Sequence, residues 1–420
     1  MESFFCDTLD YYCINEQISK SFRYILHMKD DVDGDALRKA LDLAMTRYPY
    51  LKKRVVADEK GYSLEYNDLP LVVKESDEPM TLGGPEANYH LFGLTYFGKN
   101  LYFNNVHAIF DGRGRGPLLH TLIYYYCKMR YNEEVDMPGV QLAGSPVDPA
   151  EYFDPFTRPL PVSDVLLPMP EIPSKALRLE EQGLVTRSPQ HQHFIRINEK
   201  QLMSICRSND GTPNTIVALL MSRAIDKLHP DSTEPIVGQV YCDYRSVVHA
   251  EKSHRNMVTT IPLVYHRSLR DKPLQLQNTA MRGDIIYYSD PSVLLQVVAG
   301  IKGACEAVNS LPTIQAKFDA VGQGMAAFFD QTTFAVSYSG KKSFGSCDRH
   351  IEAIFPAGEP IGIGILMEIT AADGWFYITF MQDWREDVYF NAFLKEIVSL
   401  GLDFDLLYSS EAHAPKFSLR

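Results

Sequence analysis

His107-Ala-Ile-Phe-Asp111-Gly112 joins two runs of opposite character. Before it, Leu101, Phe103, Asn105 and His107 share one parity and Tyr102, Asn104 and Val106 the other, which is the alternation of a strand. After it come Gly112-Arg-Gly-Arg-Gly116, Pro117 and a helical run from Leu118 to Met129. The histidine is therefore expected near a strand end, followed by a glycine-rich turn and then a helix. A neutral imidazole, with an ordinary pKa of about 6.5, takes a proton from an alcohol, amine or thiol near neutral pH. Asp111, four residues on, either orients the ring or holds the loop by a salt bridge, and Gly112 permits a tight turn. The plainer alternative is a structural histidine closing a strand, with a capping aspartate after it. Local sequence leaves both readings open.

Outward from this stretch the chain alternates strands and helices. Upstream, Phe22 to Met28 reads as a strand. Leu37, Ala40, Leu41 and Ala44 fall on one face of a helix from Ala36 to Tyr48, capped by Asp33 or Asp35 and ended by Pro49. Tyr62–Tyr66, Leu71–Lys74 and Leu91–Phe97 read as further strands. From Met137 to Pro173, prolines at 138, 146, 149, 155, 159, 161, 168, 170 and 173 break any periodicity and mark a crossover. The pattern then restarts. Strands are expected at 193–197, 236–243, 258–265, 334–339, 351–355, 361–370 and 375–382, with helices at 199–207, 215–228, 273–288, 293–309 and 388–400. The expected organisation is mixed α/β: a first half over 1–136, a Pro-rich crossover over 137–190 and a second half over 191–420.

Other constellations carry less. Gly112 to Gly116 offers backbone N–H groups and two guanidiniums to a phosphate, but it lacks a P-loop's Lys-Ser/Thr and does not fit GxGxxG, so a flexible turn is the better reading. Asp31-Val-Asp33-Gly-Asp35 has its glycine at the wrong offset for a calcium loop. His191 and His193 lack a Cys or Glu to complete a metal set, so no metal is expected. There is no GxSxG elbow, while a cysteine nucleophile stays open. Asp243 and Arg245 share one strand face and either pair locally or reach across to the first half.

The formal net charge of −12 argues against a nucleic-acid or anionic-membrane surface. Seven widely spaced cysteines without a CxxC read as reduced thiols in a cytoplasmic protein. Met1 to Asp10 carries Glu2 and Asp7 and no basic apolar leader, and no run is expected to be long and apolar enough to span a bilayer.

Taken in order, these residues resemble one superfamily: chloramphenicol acetyltransferases, plant BAHD acyltransferases, alcohol acetyltransferases and peptide-synthetase condensation domains. His107 to Gly112 resembles their His-x-x-x-Asp-Gly motif. Val32 to Leu41, through Arg47-Tyr-Pro-Tyr-Leu51, is similar to their first helix, and Thr212 to Met221 to a helix of their second half. Val240-Tyr-Cys-Asp-Tyr-Arg245, with Asn256, resembles their Asp-x-Arg region, and Phe334 to Gly340 their Val-Ser-Asn-x-Gly strand. The matches run in order over nearly the whole chain.

The resemblance implies two chloramphenicol-acetyltransferase-like α/β halves forming a pseudo-dimer around a central tunnel. It implies that His107 deprotonates a small-molecule acceptor, which attacks an acyl thioester directly, without an acyl-enzyme. Asp111 would be structural and salt-bridged to Arg245, and Gly112 would shape the turn. Ser337, Ser339 and Gly340 would line the tunnel, where a hydroxyl helps stabilise the oxyanion. Acyl-CoA is the implied co-substrate, with no permanently bound cofactor. Arg113, Arg115, Lys341 and Lys342 are candidates to neutralise its phosphates, each otherwise an ordinary surface charge. The sequence departs from the pattern at Val106, where condensation domains carry a first histidine. It departs again at Tyr338, where Asn is usual, and at Tyr48, where a His precedes the proline. Ser343-Phe-Gly-Ser346 is at most a remnant of the BAHD Asp-Phe-Gly-Trp-Gly. These favour a stand-alone acyltransferase. The alternatives are a donor held by an acyl carrier protein, or an inactive binding module on the same fold. Fused halves that complete their own tunnel imply a monomer.

Overall fold

The computed structural model describes residues 9–14, 18–360, 362–411 and 414–418. Cys6 and most of the N-terminal stretch read for a leader lie outside the described residues, as does Ile361. The first half contributes α1 (Leu9–Tyr12), β1 (Ser21–Met28), α2 (Gly34–Arg47), β2 (Lys53–Asp58), β3 (Gly61–Tyr66), β4 (Val73–Glu75), β5 (Phe92–Phe97), β6 (Asn100–Val106) and α3 (Gly112–Tyr131). The second contributes β7 (Arg187–Asn198), α4 (Glu199–Ser208), α5 (Pro213–Leu228), β8 (Val237–Asp243), β9 (Val258–Val264), α6 (Leu274–Tyr288), α7 (Pro291–Ser310), α8 (Ile314–Asp330), β10 (Phe334–Lys341), β11 (Ile351–Ala357), β12 (Ile365–Ala372), β13 (Trp375–Trp384), α9 (Val388–Ser399) and β14 (Phe404–Glu411). One sheet runs β11-β1-β6-β5-β4 and the other β14-β7-β13-β12-β10-β8-β9, with β2 and β3 as a separate hairpin.

The two halves interlock. β11, which the sequence places in the second half, pairs antiparallel with β1 from Arg23 opposite Ala357 to Met28 opposite Ile351. Residues 191–420 therefore complete the first sheet as well as building the second.

Local chemistry explains most boundaries. Asp33 caps α2, accepting from Asp35 N at 3.0 Å and Ala36 N at 2.9 Å, and the apolar face Leu37, Ala40, Leu41 and Ala44 is buried against α3 and the sheet. α3 corrects the expected glycine-rich turn: the helix begins at Gly112, so 112–116 are its first residues and not a phosphate-cradling loop. The cause is Asp111, which accepts from Arg113 N at 3.0 Å and Gly114 N at 2.8 Å. Gly114 is required for packing, since a Cβ there would lie 2.0 Å from the His254 carbonyl oxygen. Gly114→Ala is expected to lower stability by about 1–3 kcal/mol through this overlap. A urea melt checks it, and an unchanged midpoint would contradict the packing.

Three further expectations are corrected. α8 falls in a stretch where no element is expected, although Ile314, Phe318, Val321, Met325 and Phe328 recur at helical spacing. α7 is twenty residues long and apolar enough, by length and composition, to cross a bilayer. It buries Val293, Leu294, Val298, Cys305 and Val308 in the fold, and its contacts are with α6, α8 and the turn at Arg245–Val248. Cys305 is disulfide-bonded, so the cysteines are not all reduced thiols.

Candidate active site

β6 delivers His107 to the middle of the molecule. The residue follows the last strand position, and its backbone N–H donates to the Lys20 carbonyl at 2.8 Å. Its ring lies 4.8 Å, centroid to centroid, from that of Phe22. Burial pushes the imidazole below its usual pKa. Asp10 and Asp111 act against this, and Lys20 and Arg115 with it. The ring is therefore neutral at pH 7, the form that accepts a proton.

Asp111 does not orient that ring. Its carboxylate meets Arg245 at 2.8 and 2.9 Å and accepts from the backbone N–H groups of Arg113, Gly114 and Met257 at 3.0, 2.8 and 2.9 Å. None of these contacts is with the imidazole. Arg245 is fully buried, donates to the Ser253 carbonyl at 2.9 Å and also faces Asp243 at 3.2 Å. The pair bolts the start of α3, in the first half, to segment 243–257 of the second.

His107 lines one of two adjoining cavities. The smaller, about 250 Å³, is lined by His107 with Asp10, Lys20, Phe22, Asn256, Thr259, Met325, Phe328, Phe329, Glu359 and Glu368. The larger, about 670 Å³, is lined by Arg113, Arg115, Lys341 and Lys342 together with Tyr24, His120, Tyr338, Ser339 and Phe344. Asp111, Gly112, Tyr241, Val258 and Ser337 belong to both walls, so the two cavities adjoin. Gly112 is not in a left-handed conformation, which corrects its expected role in the turn. A Cβ there would meet nothing within 4 Å, so its bare backbone borders open space.

The four expected cations share one cavity but not one state. Arg113 is paired with Asp243 at 2.8 Å and Lys341 with Glu199 at 2.9 Å. Arg115 is turned inward, donating to Asn105 Oδ1 at 3.1 Å and lying 4.4 Å over the Tyr24 ring. Burial pushes Lys342 down to about 8, with Arg115 adding to the effect. Ser339 is committed to the sheet, through Thr370 Oγ1 at 3.0 Å and the Ile369 carbonyl at 3.3 Å. Gly340, expected to line the tunnel, lines neither cavity; with φ of 81° it sits where the β10–β12 register shifts.

Several groups at the site were missed by sequence reasoning. α8 supplies Met325, Phe328 and Phe329. Glu359 accepts from Ser19 N at 3.0 Å and Ser19 Oγ at 2.8 Å, and burial pushes its carboxyl up to about 7. Glu368 is also raised by burial to about 7. A glutamate inside the apolar strand Ile365–Ala372 was the available signal, because a charge there is buried unless the strand is at the surface.

No protein-family model matches the chain, and no curated protein matches it by sequence. Solved structures do. TRI101 of F. graminearum, complexed with coenzyme A and deoxynivalenol, aligns at TM-score 0.60 and 14% identity, over 94% of this chain and 98% of that one. Polyketide synthase associated protein 5 of Mycobacterium tuberculosis aligns at TM-score 0.56 and 13% identity, over 90% and 93%. The starter condensation domain of rhizomide synthetase aligns at TM-score 0.51 and 9% identity, over 93% and 92%. At these identities the likeness is one of fold. The chain has the two-lobed mixed α/β architecture of these structures.

Proposed function

We propose that a chain of this fold, with a neutral histidine in the wall of one of two adjoining cavities, transfers an acyl group from an acyl-CoA thioester to a hydroxyl or amine of a small acceptor. The observation that carries the reading is the position of His107 in the wall of a cavity that adjoins the larger, cation-lined one. Coenzyme A in the TRI101 complexes supports the choice of donor.

In this reading the acceptor occupies the smaller cavity and the thioester enters by the larger. His107 takes the proton from the acceptor's O–H or N–H as its lone pair attacks the thioester carbonyl. The carbonyl π electrons move to oxygen, and the Ser337 hydroxyl donates to that oxyanion. The tetrahedral intermediate collapses, the C–S bond breaks, and the imidazolium returns its proton to the coenzyme A sulfur. No bond to the protein forms. Lys342 and Arg115 supply positive charge along the donor arm. Arg113 and Lys341 would have to exchange Asp243 and Glu199 for phosphate.

The test is incubation of the protein with a panel of acyl-CoAs and mixed alcohol and amine acceptors, followed by mass spectrometry of acylated product and free coenzyme A. Product is expected, with kcat/KM level down to a pH below the ordinary imidazole value of about 6.5, because burial lowers the base. Transfer only from an acylated carrier protein would replace the donor. Absence of transfer from any thioester would contradict the reading.

A further inference from the structure

Glu368 has no part in the mechanism above, yet its surroundings bear directly on it. It lies on β12, a strand whose eight residues are all buried, and is itself 5% exposed. In the parallel pairing of β10 with β12 it stands opposite Ser337. That register, and the smaller cavity both residues line, set the Ser337 hydroxyl beside the Glu368 carboxyl. Ser337 borders both cavities, whereas Glu368 borders only the one holding His107.

The protonation state of that carboxyl decides what Ser337 can do. A hydroxyl has one proton to give. An ionised Glu368 only accepts, so it takes the Ser337 proton and sets a negative charge beside the carbonyl oxygen that becomes an oxyanion. A neutral Glu368 donates to Ser337 Oγ and leaves the hydroxyl proton free to meet the oxyanion. The groups around it come from several elements: Arg115 of α3, Lys342 after β10, Tyr24 of β1 and Tyr241 of β8, with His107, Lys20, Asp10 and Glu359 across the chamber. Burial holds the carboxyl near 7 although the Ser337 hydroxyl, Arg115 and Lys342 favour its ionised form.

We propose that Glu368 is a positioning residue for acyl transfer, acting in its neutral form through Ser337 to aim the serine hydroxyl at the oxyanion. The inference rests on the acyl-transfer reading and adds a second titrating group to it. His107 must be deprotonated and Glu368 protonated, so kcat should fall again as pH rises through about 7.

The experiment measures transfer from acetyl-CoA to the best acceptor of the panel, across pH, for wild type, Glu368→Ala and Glu368→Gln. Glu368→Ala is expected to lower kcat by about tenfold or more with little change in KM. Glu368→Gln, which keeps a donor and cannot ionise, should regain most of that loss and abolish the fall at high pH. Thermal melts need no substrate. The folded carboxyl titrates above its unfolded value, so the stability it contributes is present at low pH and lost as pH rises towards about 7. Glu368→Gln should therefore gain melting temperature relative to wild type over that range. Unchanged kcat in Glu368→Ala, a glutamine variant no better than alanine, or an unchanged high-pH fall in Glu368→Gln would each overturn the proposal. If Glu368→Ala fails to fold, the glutamine profile decides alone. A wild type that transfers nothing overturns the acyl-transfer reading first, without reference to the variants.

Discussion

His107→Ala is expected to lower kcat by about a hundredfold to ten-thousandfold, with the fold intact. Among the described residues that line the smaller cavity, the imidazole is the only histidine, and it is neutral. Asp10 is engaged by Lys20 at 3.8 Å and by Asn256 at 3.2 Å. Burial raises the carboxyls of Glu359 and Glu368 to about 7, and Glu359 is held by Ser19 N at 3.0 Å and Ser19 Oγ at 2.8 Å. The backbone bond from residue 107 to the Lys20 carbonyl survives the substitution, so the melting temperature should move little. Steady-state kinetics beside a melt separate the two effects. An equally active alanine variant would make His107 structural and turn attention to a cysteine.

The second large effect is on stability. Arg245→Ala should cost about 3–5 kcal/mol, because it leaves the Asp111 carboxylate buried without its partner. The loss should be accompanied by loss of activity, since the same pair fixes the start of α3 beside Gly112. Asp111→Asn combined with Arg245→Met should recover part of the stability, because neither charge is then stranded. Urea unfolding of the two single variants and the double variant measures the coupling. Additive effects would contradict a direct buried pair.

What the sequence made legible follows from where periodicity is strong. α2 announced itself through Asp33, the spacing of Leu37, Ala40, Leu41 and Ala44, and Pro49, because one face is buried and the ends are chemically marked. The strand ending at His107 was legible from alternation. α3 was misread at its start because three glycines suggested a turn. A capping aspartate and close packing against the His254 carbonyl make helix there, and packing against a distant segment leaves no local trace. The pairing of β11 with β1 was hidden for the same reason, since it depends on a partner strand far away in sequence.

The site divides along the same line. His107, Asp111 and Arg245 were found because they sit in short motifs, and the structure brings Asp111 and Arg245 together across the two halves. Arg113, Arg115, Lys341 and Lys342 were found as charges near those motifs and line one cavity, but their commitments to Asp243, Glu199 and Asn105 are contacts that only the fold reveals. Glu359 and Glu368 lie in no motif, and their chemistry is set by burial.

Direct attack by the acceptor is the central claim, and the intact mass of the protein tests it. Wild type is mixed with one equivalent of acyl-CoA and then chased with acceptor, while protein and small molecules are weighed together. The account predicts acylated acceptor and free coenzyme A after the chase, with the protein mass unchanged throughout. A protein that gains the mass of the acyl group before the chase and loses it afterwards would contradict direct attack and place a covalent nucleophile in the site.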